Sequence, residues 1–338
     1  MSSILVELKL WNICHKIRTG VFKIKKIELF SKNGDSRGFY DLANQINDLT
    51  GKEWVFSTKS VIPKGYPPSF QLNLRNKHGG QKPPELCEKL IKTFTKEKDL
   101  ILDPFCGVGG TLIACNLSNR KGIGIEINQK WINIYHEVCK IESFTPQRVI
   151  NGDSREILRK FSEDPNFKVD FILTDVPFWK MDTVEKSKGT YKKVGEESKG
   201  VYSDKSKLTQ FTPNSQDLQQ NKRDWELLIK QTFSECYNLL KPGRYCAVFI
   251  GNMYNEGHYH LLNADIARIL SQIGYVLKSE IIWYDVNKKL HLYGINYSWI
   301  PSIVHQFIMV FRKERSEKLT QEEKDKIKAK NLQMTEKG

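Results

Sequence analysis

Two clusters in this chain combine residue types and spacing suited to chemistry. The first, Asp103-Pro104-Phe105-Cys106-Gly107-Val108-Gly109-Gly110-Thr111, follows the apolar run Leu100-Ile101-Leu102 and opens onto an apolar-periodic segment from Leu112 to Leu117. That order reads as strand, glycine turn, helix. Such a turn offers backbone N–H groups to a ligand without side-chain obstruction, and an acid one βαβ step later can accept ribose hydroxyls. Glu126 closes the next apolar run, Gly122-Ile123-Gly124-Ile125, and holds that place. The second cluster, Thr174-Asp175-Val176-Pro177-Phe178-Trp179, ends the run Phe171-Ile172-Leu173. A nucleotide-type pocket is thus followed by an acid, a proline and two aromatics at a strand end. There a carboxylate can accept N–H bonds, and an aromatic face can stack on a planar ring.

The elements that must position these clusters follow from hydrophobic patterning. Strand-like runs at Leu100–Leu102, Gly122–Ile125, Arg148–Ile150, Phe171–Leu173, Tyr245–Ile250, Ser279–Trp283 and His305–Phe311 alternate with amphipathic segments. Such alternation predicts an α/β, doubly wound domain over 61–312, with a mainly parallel sheet covered by helices on both faces. Before it lies a small N-terminal extension, 1–60, in which Phe39 to Leu49 predicts a helix ending at Gly51. Ser60 to Asn76, with Tyr66-Pro67-Pro68, reads as an extended connection. The periodicity stops again over 180–224, a polar and basic inserted loop, and the tail 313–338, more than half of it charged, reads as a solvated helix or disorder.

The formal charge of +14 and a pI near 9.3 favour association with a polyanion through phosphate contacts. The seven cysteines are scattered and form no CxxC pair, which suits a reduced, cytoplasmic thiol population. His258 and His260 lack a nearby Cys or acid pattern and read as loop residues rather than metal ligands. No segment has the apolar length of a membrane span or a leader, so a soluble protein is expected.

The run DPFCGVGGT resembles the S-adenosylmethionine motif of the DNA amino-methyltransferases, and DVPF resembles their catalytic (D/N/S)PP(Y/F/W) tetrapeptide. Gln81-Lys82-Pro83 with Glu85 to Phe94 is similar to the family segment that packs over the methionine end of the cofactor, and the resemblance spans roughly 50–312. It implies a Rossmann-like methyltransferase fold and an S-adenosylmethionine site formed by Lys82, Pro83, Asp103, Phe105, Cys106, Gly107, Gly109, Gly110, Thr111, Glu126, Asp153 and Ser154. Asp153 falls where the family holds the cofactor's adenine amine, and Asp175, Val176, Pro177 and Phe178 fall where it grips a flipped target base. The aspartate at the first catalytic position leans toward N6 of adenine over N4 of cytosine.

The implied partner is double-stranded DNA, joined by a cognate restriction endonuclease where modification is coupled to restriction. Lys186, Lys188, Lys192, Lys193, Lys205 and Lys207 in the inserted loop are the candidate phosphate contacts, and a disordered insertion is the competing reading. The chain departs from the family pattern at Val176, where a first proline is usual; the carbonyl survives but the fixed φ does not. Two other readings stay open. One is a transfer-RNA guanosine-N2 enzyme, which carries a similar glycine turn and catalytic motif, and the other is a catalytically silent relative.

Overall fold

The computed structural model describes residues 26–179, 185–186, 204–207, 221–255, 257–288, 290 and 299–335. Its strands are β1 (Lys26–Phe30), β2 (Ser36–Asp41), β3 (Val61–Pro63), β4 (Leu100–Asp103), β5 (Lys121–Glu126), β6 (Arg148–Asn151), β7 (Val169–Asp175), β8 (Glu185–Lys186), β9 (Asp204–Lys207), β10 (Leu240–Ile250), β11 (Met253–Asn255), β12 (His258–His260), β13 (Val276–Tyr284) and β14 (His305–Arg312). Its helices are α1 (Gly51–Ser57), α2 (Leu72–Arg75), α3 (Pro84–Phe94), α4 (Gly110–Leu117), α5 (Gln129–Ile141), α6 (Ser154–Ser162), α7 (Lys222–Leu239), α8 (Leu262–Ile273) and α9 (Gln321–Thr335). The chain divides into a large unit, Lys59–Ser316, and a small one, Met1–Thr58 with Glu317–Gly338.

The large unit is built on an eight-stranded sheet in the order β3-β13-β14-β10-β7-β4-β5-β6. Neighbours run parallel except at β14, which is antiparallel to both β10 and β13. Alternation of period two along each central strand explains why both faces are covered. Leu102, Ile172, Val248 and Met309 join one core with Leu158 of α6, Trp225 and Phe233 of α7, and Ile266 of α8. Ile101, Phe171, Ala247 and Ile308, one step away on each strand, join the other core with Leu86 and Leu90 of α3 and Ala114 of α4. These are continuous apolar runs because neither face meets water.

Parallel order puts the carboxyl ends of β4, β5, β7 and β10 on one edge, so Asp103, Glu126 and Asp175 all arrive there. Each strand run read from the sequence is present. The connection over Ser60 to Asn76 is less extended than its Pro and Gly content predicts. Val61–Pro63 pairs with β13 as an edge strand and Leu72–Arg75 is a short helix. His258 and His260 lie in a small antiparallel hairpin, β11 with β12, rather than in a loop. Within the insertion, β8 and β9 pair antiparallel, so Lys186, Lys205 and Lys207 fall in strands, while Lys188, Lys192 and Lys193 lie outside the described residues.

In the small unit, β1 and β2 form an antiparallel hairpin. The expected helix ending at Gly51 is corrected here, because Gly51 begins a helix. The Thr50 hydroxyl accepts the Glu53 N–H at 3.4 Å and the Glu53 carboxylate accepts the Thr50 N–H at 2.9 Å, a capping box. Upstream, the side chains of Asp41, Asn44 and Asn47 accept the N–H groups of Ala43, Ile46 and Leu49, which turns the backbone away from helix. The tail is also more than a solvated helix. Asn331 of α9, 2% exposed, donates to the carbonyls of Leu42 and Asn44 at 2.7 and 2.9 Å, and Leu332 packs with Tyr40 and Leu42.

Replacing Asn331 by alanine leaves the buried Leu42 carbonyl and the part-buried Asn44 carbonyl without this donor, at an expected cost of about 1–3 kcal/mol to the small unit. Hydrogen exchange should quicken at amides of β1 and β2 and stay unchanged in β7; equal protection of β1 and β2 in both proteins would contradict this.

Candidate functional site

At the carboxyl edge of the sheet a cleft open to solvent is lined by Asp103, Phe105, Cys106, Gly107, Val108, Gly110 and Thr111, together with His78, Gly80, Gln81, Lys82, Asp175 and Phe249. The turn into α4 is bare backbone for steric reasons. Gly107 and Gly109 have φ of 51° and 77°, a region that side chains rarely adopt. A Cβ on Gly107 would meet Nε2 of His78 at 2.9 Å, and one on Gly109 would meet the Tyr135 ring at 2.2 Å. The Cys106 N–H bonds the Ile125 carbonyl at 2.9 Å, which ties the turn to β5.

Burial dominates the electrostatics here. Oδ1 of Asp103 accepts the Phe105 N–H at 3.1 Å and the Thr174 hydroxyl at 2.6 Å, yet burial pushes this carboxyl up to about 6. Glu126 accepts the N–H groups of Gly107 and Asn128 at 2.9 and 2.8 Å, and burial still pushes it up to about 7. Burial, helped by the nearby Lys82 charge, drives His78 down to about 3, so its imidazole is neutral at physiological pH. Asp175 is also raised by burial, against the opposing pull of Lys82. Its Oδ2 accepts from the Lys82 ammonium, whereas Oδ1 is buried without a hydrogen-bond partner.

Beyond Asp175 the catalytic-type segment is held tightly. Val176, 1% exposed, sits in the core with Trp225, whose indole N–H bonds the Pro177 carbonyl at 2.7 Å. A Cβ on Gly251, just past β10, would meet the Phe178 ring at 3.2 Å, so the bare backbone there makes room for that aromatic. Packing and one indole bond therefore supply the restraint that a proline at position 176 would have given by its ring.

Of the residues singled out in the sequence, the cleft gathers Lys82, Asp103, Phe105, Cys106, Gly107, Gly110, Thr111 and Asp175. Pro83, Gly109, Glu126, Asp153, Ser154 and Val176 to Phe178 are not among its lining residues. Pro83 precedes α3, and Gly109 is the residue before α4. The Ser154 hydroxyl donates to the Pro104 carbonyl. Asp153 caps α6 and pairs with Arg155 at 2.5 Å, a contact that holds its carboxyl below the ordinary value. His78, Gly80, Gln81, Val108 and Phe249 line the cleft without having been chosen as site residues. Phe249 was recognisable only through its register, since it pairs with Asp175 across β10 and β7. The side chains of the six candidate lysines of the insertion lie outside what the structure describes. The cysteines at positions 87, 106, 115, 139, 236 and 246 are free and buried. No helix among the described residues is long and apolar enough to cross a membrane.

The parallel sheet, the glycine turn at the end of β4 and the acids at the ends of β5 and β7 define a Rossmann-like methyltransferase fold. The chain belongs to the DNA methylase family, whose sequence model matches residues 23–137 and 169–338. S-Adenosylmethionine is the cofactor that this family implies. A second family model, RNA cap guanine-N2 methyltransferase, matches residues 98–220. Similar proteins include the type II methyltransferase M2.DpnII of Streptococcus pneumoniae, 34% identical over 31% of this chain and 37% of that protein. Another is the tRNA (guanine(10)-N2)-dimethyltransferase of Methanothermobacter thermautotrophicus, 28% identical over 46% of this chain and 43% of that protein. The chain thus spans less than half the length of either relative. Among solved structures, TrmN from Thermus thermophilus superposes with a TM-score of 0.45 at 16% identity, over 74% of this chain and 54% of that one.

The residues fit such a cofactor on charge and shape. Two carboxylates, Asp103 and Asp175, face one ammonium, Lys82, across the cleft, a balance that favours a cationic ligand such as a sulfonium. Bare backbone at Gly107 and Gly110 and the apolar Phe105, Val108 and Phe249 leave room for a flat, partly apolar body.

Glu126 and Asp103 hold protons more tightly in the folded chain than in the unfolded one. Their contribution to stability is therefore full below the ordinary carboxylate values and is lost as pH rises toward about 6 for Asp103 and about 7 for Glu126. Glu126→Gln should flatten the fall in Tm between pH 4.5 and pH 7 relative to wild type. A fall of the same size in the variant would show that Glu126 is not its source.

Proposed function

We propose that this chain methylates the exocyclic amine of a base flipped out of DNA, with N6 of adenine favoured over N4 of cytosine, in a site-specific modification role of the kind coupled to restriction. The observation that carries this reading is Asp175 Oδ1, a buried acceptor without a partner in the cleft that the glycine turn lines. An exocyclic amine is a poor nucleophile because its lone pair is delocalised into the ring. A carboxylate and a backbone carbonyl that accept its two N–H bonds draw the nitrogen toward tetrahedral geometry and free the lone pair. Asp175 Oδ1 and the Val176 carbonyl take those roles. Phe178 stacks on the extruded base, and the restraint on Val176 and Pro177 keeps the carbonyl in place.

S-Adenosylmethionine, when bound, supplies the electrophilic methyl on sulfur. With it bound, the amine lone pair would take that methyl as the C–S pair returned to sulfur, and the nitrogen would lose one proton to water. On the cofactor side, Phe105 and the backbone from Cys106 to Thr111 form the wall, and Glu126 keeps lone pairs beyond those used by Gly107 and Asn128 for ribose hydroxyls. Asp153 lies at the end of β6 for the adenine amine. Lys186, Lys188, Lys192, Lys193, Lys205 and Lys207 are the proposed phosphate contacts, and a restriction endonuclease is the proposed functional partner.

A second reading is favoured by the RNA cap guanine-N2 family model, which covers the glycine turn and the catalytic segment, and by the similarity to a tRNA (guanine(10)-N2)-dimethyltransferase. Guanine N2 is also an exocyclic amine, so the chemistry at Asp175 is common to both readings and only the nucleic acid differs.

Labelled methyl transfer to genomic DNA and to total RNA, followed by nucleoside mass spectrometry, separates them. N6-Methyladenine or N4-methylcytosine in DNA is expected, label in RNA guanosine would install the second reading, and cofactor binding without label would mark a silent protein. Asp175→Ala should lower transfer by about 10²- to 10³-fold while calorimetric binding of S-adenosylhomocysteine stays close to wild type. Glu126→Ala should instead weaken that binding. Equal loss of cofactor affinity in both variants would contradict the division of roles.

A further inference from the structure

Lys82 is placed by its backbone rather than by its charge. Nη2 of the buried Arg75 donates to the Lys82 carbonyl at 2.7 Å, and that same carbonyl lies 2.9 Å from where a Cβ on Gly110 would stand. The side chain is 7% exposed, and its ammonium lies 5.6 Å from the centre of the Phe249 ring and donates to the Gly80 carbonyl at 3.3 Å as well as to Asp175 Oδ2. Such a site is unlike that of a surface lysine reaching a convenient acid. The two oxygens of Asp175 consequently differ: Oδ2 is held, and Oδ1 is buried with no partner.

We infer that Lys82 is a positioning residue for methyl transfer, whose ammonium fixes Oδ2 of Asp175 so that Oδ1 faces the target amine purely as an acceptor. The inference rests on the reading of Asp175 as the amine's acceptor. A protonated Asp175 would lose the charge that strengthens its grip on the amine N–H and would carry a donor proton on one of its two oxygens, and transfer would slow. Burial pushes this acid toward protonation and Lys82 opposes it. The other groups facing the pair do not replace that help. Asp103 at the end of β4 adds a like charge, His78 is neutral, and the Cys87 thiol on α3 is raised by burial to about 12 and stays neutral. Lys288, after β13, interacts with Lys82 as a like charge. The opposite assignment makes the ammonium a placeholder in the position of the amine, to be expelled when the base enters.

The two assignments predict opposite signs for Lys82→Met in the full chain. The Asp175 carboxyl is followed by ¹³C NMR without substrate, its resonance assigned with Asp175→Asn, and kcat and KM are measured against pH. On the positioning assignment, the midpoint and the acid limb of kcat both rise by about one pH unit or more, kcat at neutral pH falls, and Lys82→Arg restores the limb. An unmoved midpoint in Lys82→Met, or transfer faster than wild type with a lower KM, would overturn it. Should Lys82→Met fail to fold, Lys82→Gln carries the same expectations. If the midpoint moves while the wild type methylates no nucleic acid, the acceptor reading of Asp175 fails and its electrostatic control by Lys82 stands.

Discussion

A side chain has no place at the start of α4. Gly110 stands against the Lys82 carbonyl, Gly107 against His78 and Gly109 against Tyr135, each closer than a Cβ allows. The rest of the site depends on that constraint. Only because the turn is bare can the segment from His78 to Lys82 lie directly over it, with Arg75 gripping the Lys82 carbonyl from behind. One close approach of backbone to backbone thus closes the cleft, sets its far wall and delivers an ammonium to the acid at the end of β7. Adding a methyl group at Gly110 would disturb all three at once.

Electrostatically, the carboxyl edge of the sheet concentrates buried acids. Asp103, Glu126 and Asp175 lie at the ends of β4, β5 and β7, and burial raises all three. They are tolerated because each is hydrogen-bonded or paired: Asp103 by Phe105 and Thr174, Glu126 by Gly107 and Asn128, Asp175 by Lys82. The free oxygen of Asp175 is the exception, and a buried acceptor without a partner is the kind of cost a binding site retains for its ligand. At the neighbouring Val176, apolar burial and the Trp225 bond to Pro177 replace a ring restraint by packing.

Much of this was legible in the sequence because it is local. Strands β4 to β7 show as short apolar runs, and Gly107-Val108-Gly109-Gly110 between an apolar strand and an apolar helix has few other physical uses. What stayed hidden is set by contacts between distant segments. Nothing near Lys82 signals a partner 93 residues away, and Phe249 reads as core until its register with Asp175 is known. The helix expected over Phe39 to Leu49 failed for a different reason: side-chain bonds from Asp41, Asn44 and Asn47 to nearby N–H groups outweighed the apolar count. Likewise the tail's charges concealed Asn331 and Leu332, which only the carbonyls just past the hairpin and its apolar face explain.

The central claim is that the glycine turn and the segment above it form one cofactor cleft. Hydrogen exchange with and without S-adenosylhomocysteine tests it most directly. The account predicts new protection of amides in 103–111 and 78–82, with β1 and β2 unchanged. Protection confined to other segments, or none at saturating ligand, would contradict it.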